Sequence, residues 1–402
     1  MLKNLSLKVV IFGFIFTFFS SFGQSFFIGL FNSSLREALS ITHGQFGTIF
    51  ASATLCSGML LIWVGKKIDD VDVYKFAIFV IFLLSFSCFI FSKSSSIIFL
   101  FIGIFLMRFS GQGMMSHTAS TTISRYFTKS RGKALSVSWF GLSAAEFILP
   151  VLIVYLLTLY NWKSIWLSIS ILVLISLPII SYLLIKNLKL NSREINNDKE
   201  LNEKNIKQWQ RIEVLKDYRF YIISLSMFAM PWIATGTFVY QSFITTSKNW
   251  GPYIIAQSFM SYSIFSVITL LVSGYLIDKF TSRKLIIFMN IPLLFSVLVL
   301  IFLNSEISAF IFLGFLGMSN GLANVLGSST WAEIYGVKYI GSIKALTTAL
   351  MVFSTALGTA LFGFLIDLNF SIEDIAIVSG IYIFLSITML FLVREKLNPT
   401  II

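Results

Sequence analysis

Two charged residues stand in the middle of long apolar runs: Arg108, within residues 97–122, and Glu146, within residues 134–157. A charge near the centre of a bilayer costs at least ~2.5 kcal/mol on insertion scales, so it is paired or faces a water-filled cavity. Each lies about eleven residues from the same end of its run, which at 1.5 Å per residue puts both ~16 Å deep. They can therefore meet if their helix faces agree. Two readings stay open. In one, Glu146 changes protonation in a low-dielectric cavity while Arg108 attracts an anionic solute. In the other, the pair is a static ion bridge tying the two runs together. His117 follows Arg108 by nine residues, half a helical turn away, so it reads as a packing or hydrogen-bonding histidine. Gln112 and Met115 share the Arg108 face; Trp139, Ser143 and Pro150 share that of Glu146.

Elements able to hold such charges are set by composition. The 402 residues are 56% hydrophobic and only 12% charged, with a mean hydropathy of +0.86. Soluble chains sit near 45–50% apolar and about 25% charged, so soluble, disordered, collagen-like and disulfide-framed classes are excluded. Cys56 and Cys88 both lie in apolar runs, and no disulfide framework is expected. A helix needs roughly 20 apolar residues to cross the hydrocarbon core. Twelve runs qualify, at 9–30, 45–65, 75–92, 97–122, 134–157, 164–185, 219–243, 254–277, 285–303, 308–330, 343–366 and 375–393. They are continuous rather than alternating, which favours helices over a barrel. The first is too long for the apolar core of a signal peptide.

The net charge of +12 is a topology signal. With the N-terminus placed in the cytoplasm, the inner segments collect 25 of the 30 basic residues. The outer loops hold only Arg36, Lys93, Lys163 and Lys248. The positive-inside rule then puts both termini in the cytoplasm, and a nucleic-acid partner is not expected. Residues 186–218 are the one long polar stretch and divide the chain into a first bundle at 1–185 and a second at 219–402. Within the stretch, Ile206, Trp209, Ile212 and Leu215 recur every three residues. Either a short helix lies on the membrane surface there, or the segment is a solvated linker.

The halves repeat. Gly65-Lys66-Lys67-Ile68-Asp69 matches Gly274-Tyr275-Leu276-Ile277-Asp278, and Lys133-Ala134-Leu135 matches Lys344-Ala345-Leu346, at offsets of 209 and 211. Arg108 and Glu146 have no charged counterpart, since the matching positions are Met318 and Ala356. A parallel repeat of six spans is a plan of secondary transporters. On these motifs the chain resembles the major facilitator superfamily over essentially its whole length. The second copy of the inner loop, Gly274-x-x-x-Asp278-Lys279-x-x-Ser282-Arg283-Lys284, keeps that family's pattern. The first keeps Gly65 and Asp69 but has Asp70 and Asp72 where basic and glycine residues are usual. Arg108-Phe109-Ser110-Gly111-Gln112-Gly113 looks like the family's fourth-span motif with one residue fewer. The Gly-Pro dipeptide of its drug antiporters is replaced by Gly141-x-x-x-x-Glu146-x-x-x-Pro150. The stretch from Arg108 through Arg131-Gly132-Lys133-Ala134 is most similar to bacterial carriers of the monocarboxylate or organic-anion type.

The resemblance implies an all-α membrane protein of twelve transmembrane helices in two six-helix bundles. It also implies a conformational gate at the inner ends, where Asp69, Asp278, Arg283 and Arg131 stand. Independently, a carboxylate near basic residues and helix N-termini makes charge-assisted bonds that can form and break between states; a plain topology-setting charge is the alternative. Gly23-Gln24 in span one and Pro231-Trp232 with Thr235-Gly236 in span seven are helix-breaking residues at corresponding places, a pointer to a solute site. Gln24, Gln112, Trp232 and Tyr240, with Gln241, are candidates to line it beside Arg108 and Glu146. Asn320 and Asn324 share a face of span ten and either bond between helices or face a pore. The glycines at 314, 317, 321 and 327 suit close packing.

No phosphate loop of the Gly-x-x-x-x-Gly-Lys-Ser/Thr type occurs, so no nucleotide is expected. Two histidines without a zinc-binding pair and no nucleophile elbow argue against an enzyme. No cofactor or metal is expected. The reading is a secondary active transporter of the cytoplasmic membrane, working as a monomer on a small solute, foremost a small organic anion coupled to protons. The alternatives are a carrier of a sugar, amino acid or drug, a non-transporting membrane sensor on the same fold, and more distantly a membrane enzyme.

Overall fold

An apolar run in lipid has no water to satisfy its backbone, and the helix is the structure that closes its amides within one segment. The computed structural model describes residues 2–127, 131–186, 207–336 and 338–400. Among these, every regular element is helical. Twelve helices are long and apolar enough to cross a membrane: Ser6–Gly23, His43–Val64, Val73–Ser92, Ile97–Tyr126, Lys133–Leu159, Trp162–Ile185, Tyr218–Val239, Ile254–Ile277, Ser282–Phe302, Glu306–Tyr335, Ser342–Asp367 and Ile372–Leu397. They are spans one to twelve below, and they match the runs read from the sequence.

Polar residues mark where helices start. Thr42 and Ser371 form reciprocal caps with Gln45 and Asp374, and Asp72 and Asn161 accept from Lys75 N and Lys163 N. Each satisfies amides that the first helical turn leaves open. Between the caps the faces sort by solvent. On span six Ile165, Ile169, Val173, Leu177 and Ser181 are buried, whereas Leu172, Ile175, Ile179 and Leu183 are exposed. An exposed stripe of large aliphatics would be a liability in water; on this helix it is the lipid-facing side.

The chain forms two compact units. One holds residues 1–194 with the segments 238–242 and 359–367, and the other holds the remainder. In the first, Thr17 Oγ1 of span one donates to Ser138 O of span five at 2.5 Å. Ser85 and Ser170 bond spans three and six, and Phe27, Phe31 and Phe91 surround the buried Trp166 ring. In the second unit, spans eight and ten meet where Gly314, Gly317 and Gly321 lie against Phe265, Tyr262 and Ser266. Small residues let membrane helices approach closely. Gly327, expected to join them, has open space around it.

The described end of the stretch 186–218 departs from the surface helix expected there. Residues 187–206, Ile206 included, lie outside the described residues. Only Arg211–Val214 is helical. Trp209 donates its backbone N–H to Tyr335 O at 3.0 Å and packs its ring edge-on against the Tyr335 ring, whereas Ile212 is 67% exposed. The three-residue spacing thus makes no continuous apolar face, because Trp209 turns into the second bundle instead. Beside it, Asp217 and Arg219 form a buried ion pair at 2.8 Å. Arg219 Nη1 also donates to Lys396 O and Asn398 O.

Candidate functional site

Spans one and four both lose regular α-helix, and they do so where they cross. Span one tightens into a single 3-10 turn at Ser21–Gly23, passes through an extended Gln24 (φ −82°, ψ 152°) and restarts at Ser25–Gly29. Span four widens into a π-helical stretch over Arg108–Met115. Such stretches often mark functional positions in helices. Gly23 is required here, because a Cβ would fall on Met107 O and Gln112 N of span four.

The interruption leaves the Gly23 carbonyl available, and Arg108 takes it. The guanidinium Nη1 donates to Gly23 O at 3.2 Å and to Ser25 Oγ at 3.1 Å, and lies 5.3 Å from the Phe50 ring centroid. Arg108 is 2% exposed, and its Nε has no acceptor among the described residues. Every partner named is neutral: a carbonyl dipole, a hydroxyl and a ring face. A buried cation normally needs a counter-charge, so this one is held in position yet left electrostatically unanswered.

Glu146 does not answer it. The side chain is 8% exposed on span five, and no ion pair joins it to Arg108 or to another basic side chain among the described residues. The expected static bridge is therefore absent. Equal depth fixed only one of the two coordinates of a helical residue; the broken turn in span one offers Arg108 a closer set of acceptors. His117 Nε2 lies 3.0 Å from Gly65 O, the hydrogen-bonding role expected of it.

The remaining candidates scatter. Gln24 and Gln112 are half-buried at the same crossing. Trp232 lies in the other unit, 5% exposed and edge-on to Tyr382 at 5.6 Å. Span seven does not break at Pro231, which sits inside the helix Tyr218–Val239. Carbonyls in the turns before it are taken up by neighbours: Ser354 Oγ donates to Phe228 O and Tyr382 Oη to Leu225 O. The break at the end of span one thus has no mirror image at Pro231. Asn320 Nδ2 donates to Ser266 Oγ at 2.9 Å, the interhelical alternative, while Asn324 is exposed. Tyr240 is fully buried, its hydroxyl lying against two backbone carbonyls.

At the end of the bundles rich in basic residues, the side chains of Asp69, Asp278 and Arg131 lie outside the described residues. What is described is a different carboxylate. Glu333, near the end of span ten, accepts from Ser282 N at 2.8 Å and Arg283 N at 3.1 Å. It thereby caps the start of span nine from 51 residues away. In the first half the corresponding turn is held by opposite chemistry: Arg125 Nη1 of span four donates to Ile68 O at 2.9 Å. Sequence spacing did not single out Glu333, since its partners are backbone amides that carry no side-chain signature. Among the described residues, no cluster of three or more His, Cys, Asp or Glu side chains could hold a metal ion.

Twelve apolar helices, a helix break beside a buried arginine and no carboxylate paired with that arginine among the described residues mark a polytopic membrane protein. The sequence profile of the Major Facilitator Superfamily matches residues 13–261 and 221–401, and the chain belongs to that family. Among solved structures it is similar to a bacterial homolog of the human lysosomal transporter Spinster in an inward-facing, unoccupied conformation. The TM-score is 0.73 at 12% identity, covering 98% of this chain and 97% of that one. It is also similar to the nucleoside transporter NupG, at a TM-score of 0.72 and 12% identity, covering 98% and 99%. Among curated protein sequences, none matches. The protein is a multi-pass membrane transporter of a small solute, not an enzyme.

Proposed function

We propose that the solute is a small organic anion, such as a monocarboxylate, taken across the cytoplasmic membrane by alternating access and coupled to protons. One observation carries this reading: Arg108 is buried, held by neutral groups only, and keeps an unused Nε donor at a helix break. A guanidinium offers a planar fork matched to carboxylate, and an anion bound there would supply the missing counter-charge. Gln24 and Gln112 stand at the same crossing to contribute neutral hydrogen bonds. Glu146, buried without a basic partner, is the candidate proton carrier. Both termini lie in the cytoplasm, and Asp69, Asp278, Arg283 and Arg131 gate the inner side.

Uptake into proteoliposomes of carboxylates, sugars, amino acids and nucleosides, with and without an imposed pH gradient, tests this. Carboxylate uptake should exceed the rest and rise with the gradient. Glu146→Gln should abolish the gradient effect while leaving solute exchange; unchanged gradient-driven uptake would refute the coupling. Arg108→Lys, which replaces the fork with a point charge, should weaken anion binding by about tenfold, or ~1.4 kcal/mol. Binding equal to the parent would make Arg108 structural only.

A further inference from the structure

Four basic side chains where the second bundle starts and ends answer no acid. Arg211, Lys216, Arg394 and Lys396 are exposed, and none of them enters an ion pair among the described residues. The acids beside them are already taken. Asp217 pairs with Arg219 at 2.8 Å and Glu213 with Lys207 at 2.9 Å. Glu395 is then the one unpaired acid of the described segments 207–221 and 394–400. The surplus is positive, and it is concentrated by packing. Val214, Phe220 and Leu397 share one buried core. Arg219 Nη1 donates to Lys396 O at 3.1 Å, and Lys207 N donates to Thr400 O at 2.8 Å. The segment entering span seven therefore lies along the tail leaving span twelve, and both belong to the same compact unit.

The level of this surface matters as much as its charge. Span seven begins at Tyr218 and span twelve ends at Leu397, so the four cations stand where hydrocarbon gives way to water. Apolar side chains stand among them. Ile212 is 67% and Leu215 38% exposed, although Val214 between them is buried. Tyr221 Oη donates to Leu215 O at 2.8 Å, which fixes this turn against span seven. Arg394 lies 4.2 Å from the centroid of the exposed Phe391 ring, so its guanidinium is kept at the helix end. Bare aliphatics are unfavourable in water. At a membrane boundary they sink toward the acyl chains, while the long basic side chains reach the phosphate layer.

We propose that the junction of spans seven and twelve binds the headgroup of an anionic phospholipid. Its phosphate is taken by Lys216, Arg394 and Lys396 with Arg211 beside them, and its acyl region covers Ile212 and Leu215. A dissolved phosphate ion would answer the charges but leave both aliphatics bare, which favours the lipid as the source. The site is independent of the solute carried. A lipid held there bridges the first and last helices of the second bundle, so the anionic content of the membrane stabilises that bundle by mass action.

The site can be tested in nanodiscs without any solute. The full chain, with Cys56 and Cys88 replaced by serine, carries a bimane label at Leu392→Cys, an exposed position one helical turn before Lys396. The bilayer is phosphatidylcholine with a minor share of phosphatidylglycerol, and one or the other lipid has brominated chains. Per molecule, brominated phosphatidylglycerol should quench the label about fivefold more than brominated phosphatidylcholine. The variant Lys216→Gln/Arg394→Gln/Lys396→Gln should bring that ratio close to one. Its quenching by brominated phosphatidylcholine should stay at the parent value, which shows that the helix end is still folded in lipid. Lys8→Gln/Lys75→Gln/Lys279→Gln removes the same number of charges from other spans and should keep the parent ratio. A ratio near one in the parent, or equal ratios in the two triple variants, would overturn the proposal. Inorganic phosphate added at constant ionic strength should leave the preference intact; its loss would overturn the assignment to a lipid. Since no solute is present, the lipid site and the organic-anion reading fail separately.

Discussion

Near Gly23 the first span abandons α-helix for a 3-10 turn and an extended Gln24, whereas the seventh runs helically through Pro231 to Val239. The same contrast holds for charge. Arg108 and Glu146 are matched in the second half by Met318 and Ala356. At the basic ends, an arginine bonds a carbonyl in one half and a carboxylate bonds two amides in the other. The apolar scaffold and the loop motifs of Asp69 and Asp278 are duplicated, whereas the charges within the spans, Arg108 and Glu146, are written once. A charge that one half omits without losing its bundle is not needed for packing, and that is the physical reason to look for function at Arg108.

The comparison can be broken by substitution. The largest effect is expected at the crossing of spans one and four. Gly23→Ala drives a methyl into backbone atoms of Met107 and Gln112 and should destabilise the protein by about 3 kcal/mol, as overpacking does at its upper range. Gly274→Ala, at the motif glycine of the second half with nothing within 4 Å, should change stability by less than about 0.5 kcal/mol. Thermal unfolding in detergent would separate them, and equal shifts would erase the distinction between an interlocked and an open site. A middle-sized effect should follow Glu333→Ala, which strands two helix-start amides at a cost of about 1–2 kcal/mol. Amide exchange should then speed up at Ser282 and Arg283, while Arg125→Ala should instead loosen the turn near Ile68. The smallest change belongs to Asn320→Leu. Losing its bond to Ser266 should cost about 0.6 kcal/mol, typical of interhelical bonds in membranes.

Spans were legible because hydropathy is itself the cause of a membrane helix, and their residues carry that signal over some twenty positions. The glycines of span ten were legible for the same reason, with Gly327 the exception. The crossing was legible only in part. Gly23-Gln24 announced a break, but nothing in Arg108–Met115 distinguishes a π-helical stretch from an α-helical one, since both use the same residues with a different amide partner. Depth was computable for Arg108 and Glu146; azimuth was not, once the neighbouring helix was irregular. Glu333 stayed invisible because it binds backbone amides, in a segment 51 residues away. Pro231 misled because it sits inside the continuous helix Tyr218–Val239, so the residue type alone did not mark a break.

The pairing of Arg219 with the carbonyls of Lys396 and Asn398 sets an order of assembly. Those acceptors are synthesised 177 and 179 residues after the arginine. While the ribosome is still producing the intervening spans, the guanidinium has only local partners, Asp217 and the Trp209 ring. The start of the second bundle around Arg219 therefore seals only after Asn398 has been made. Until then the start of its first helix is held only by local contacts, a window in which a chaperone or a quality-control protease meets it partly undressed.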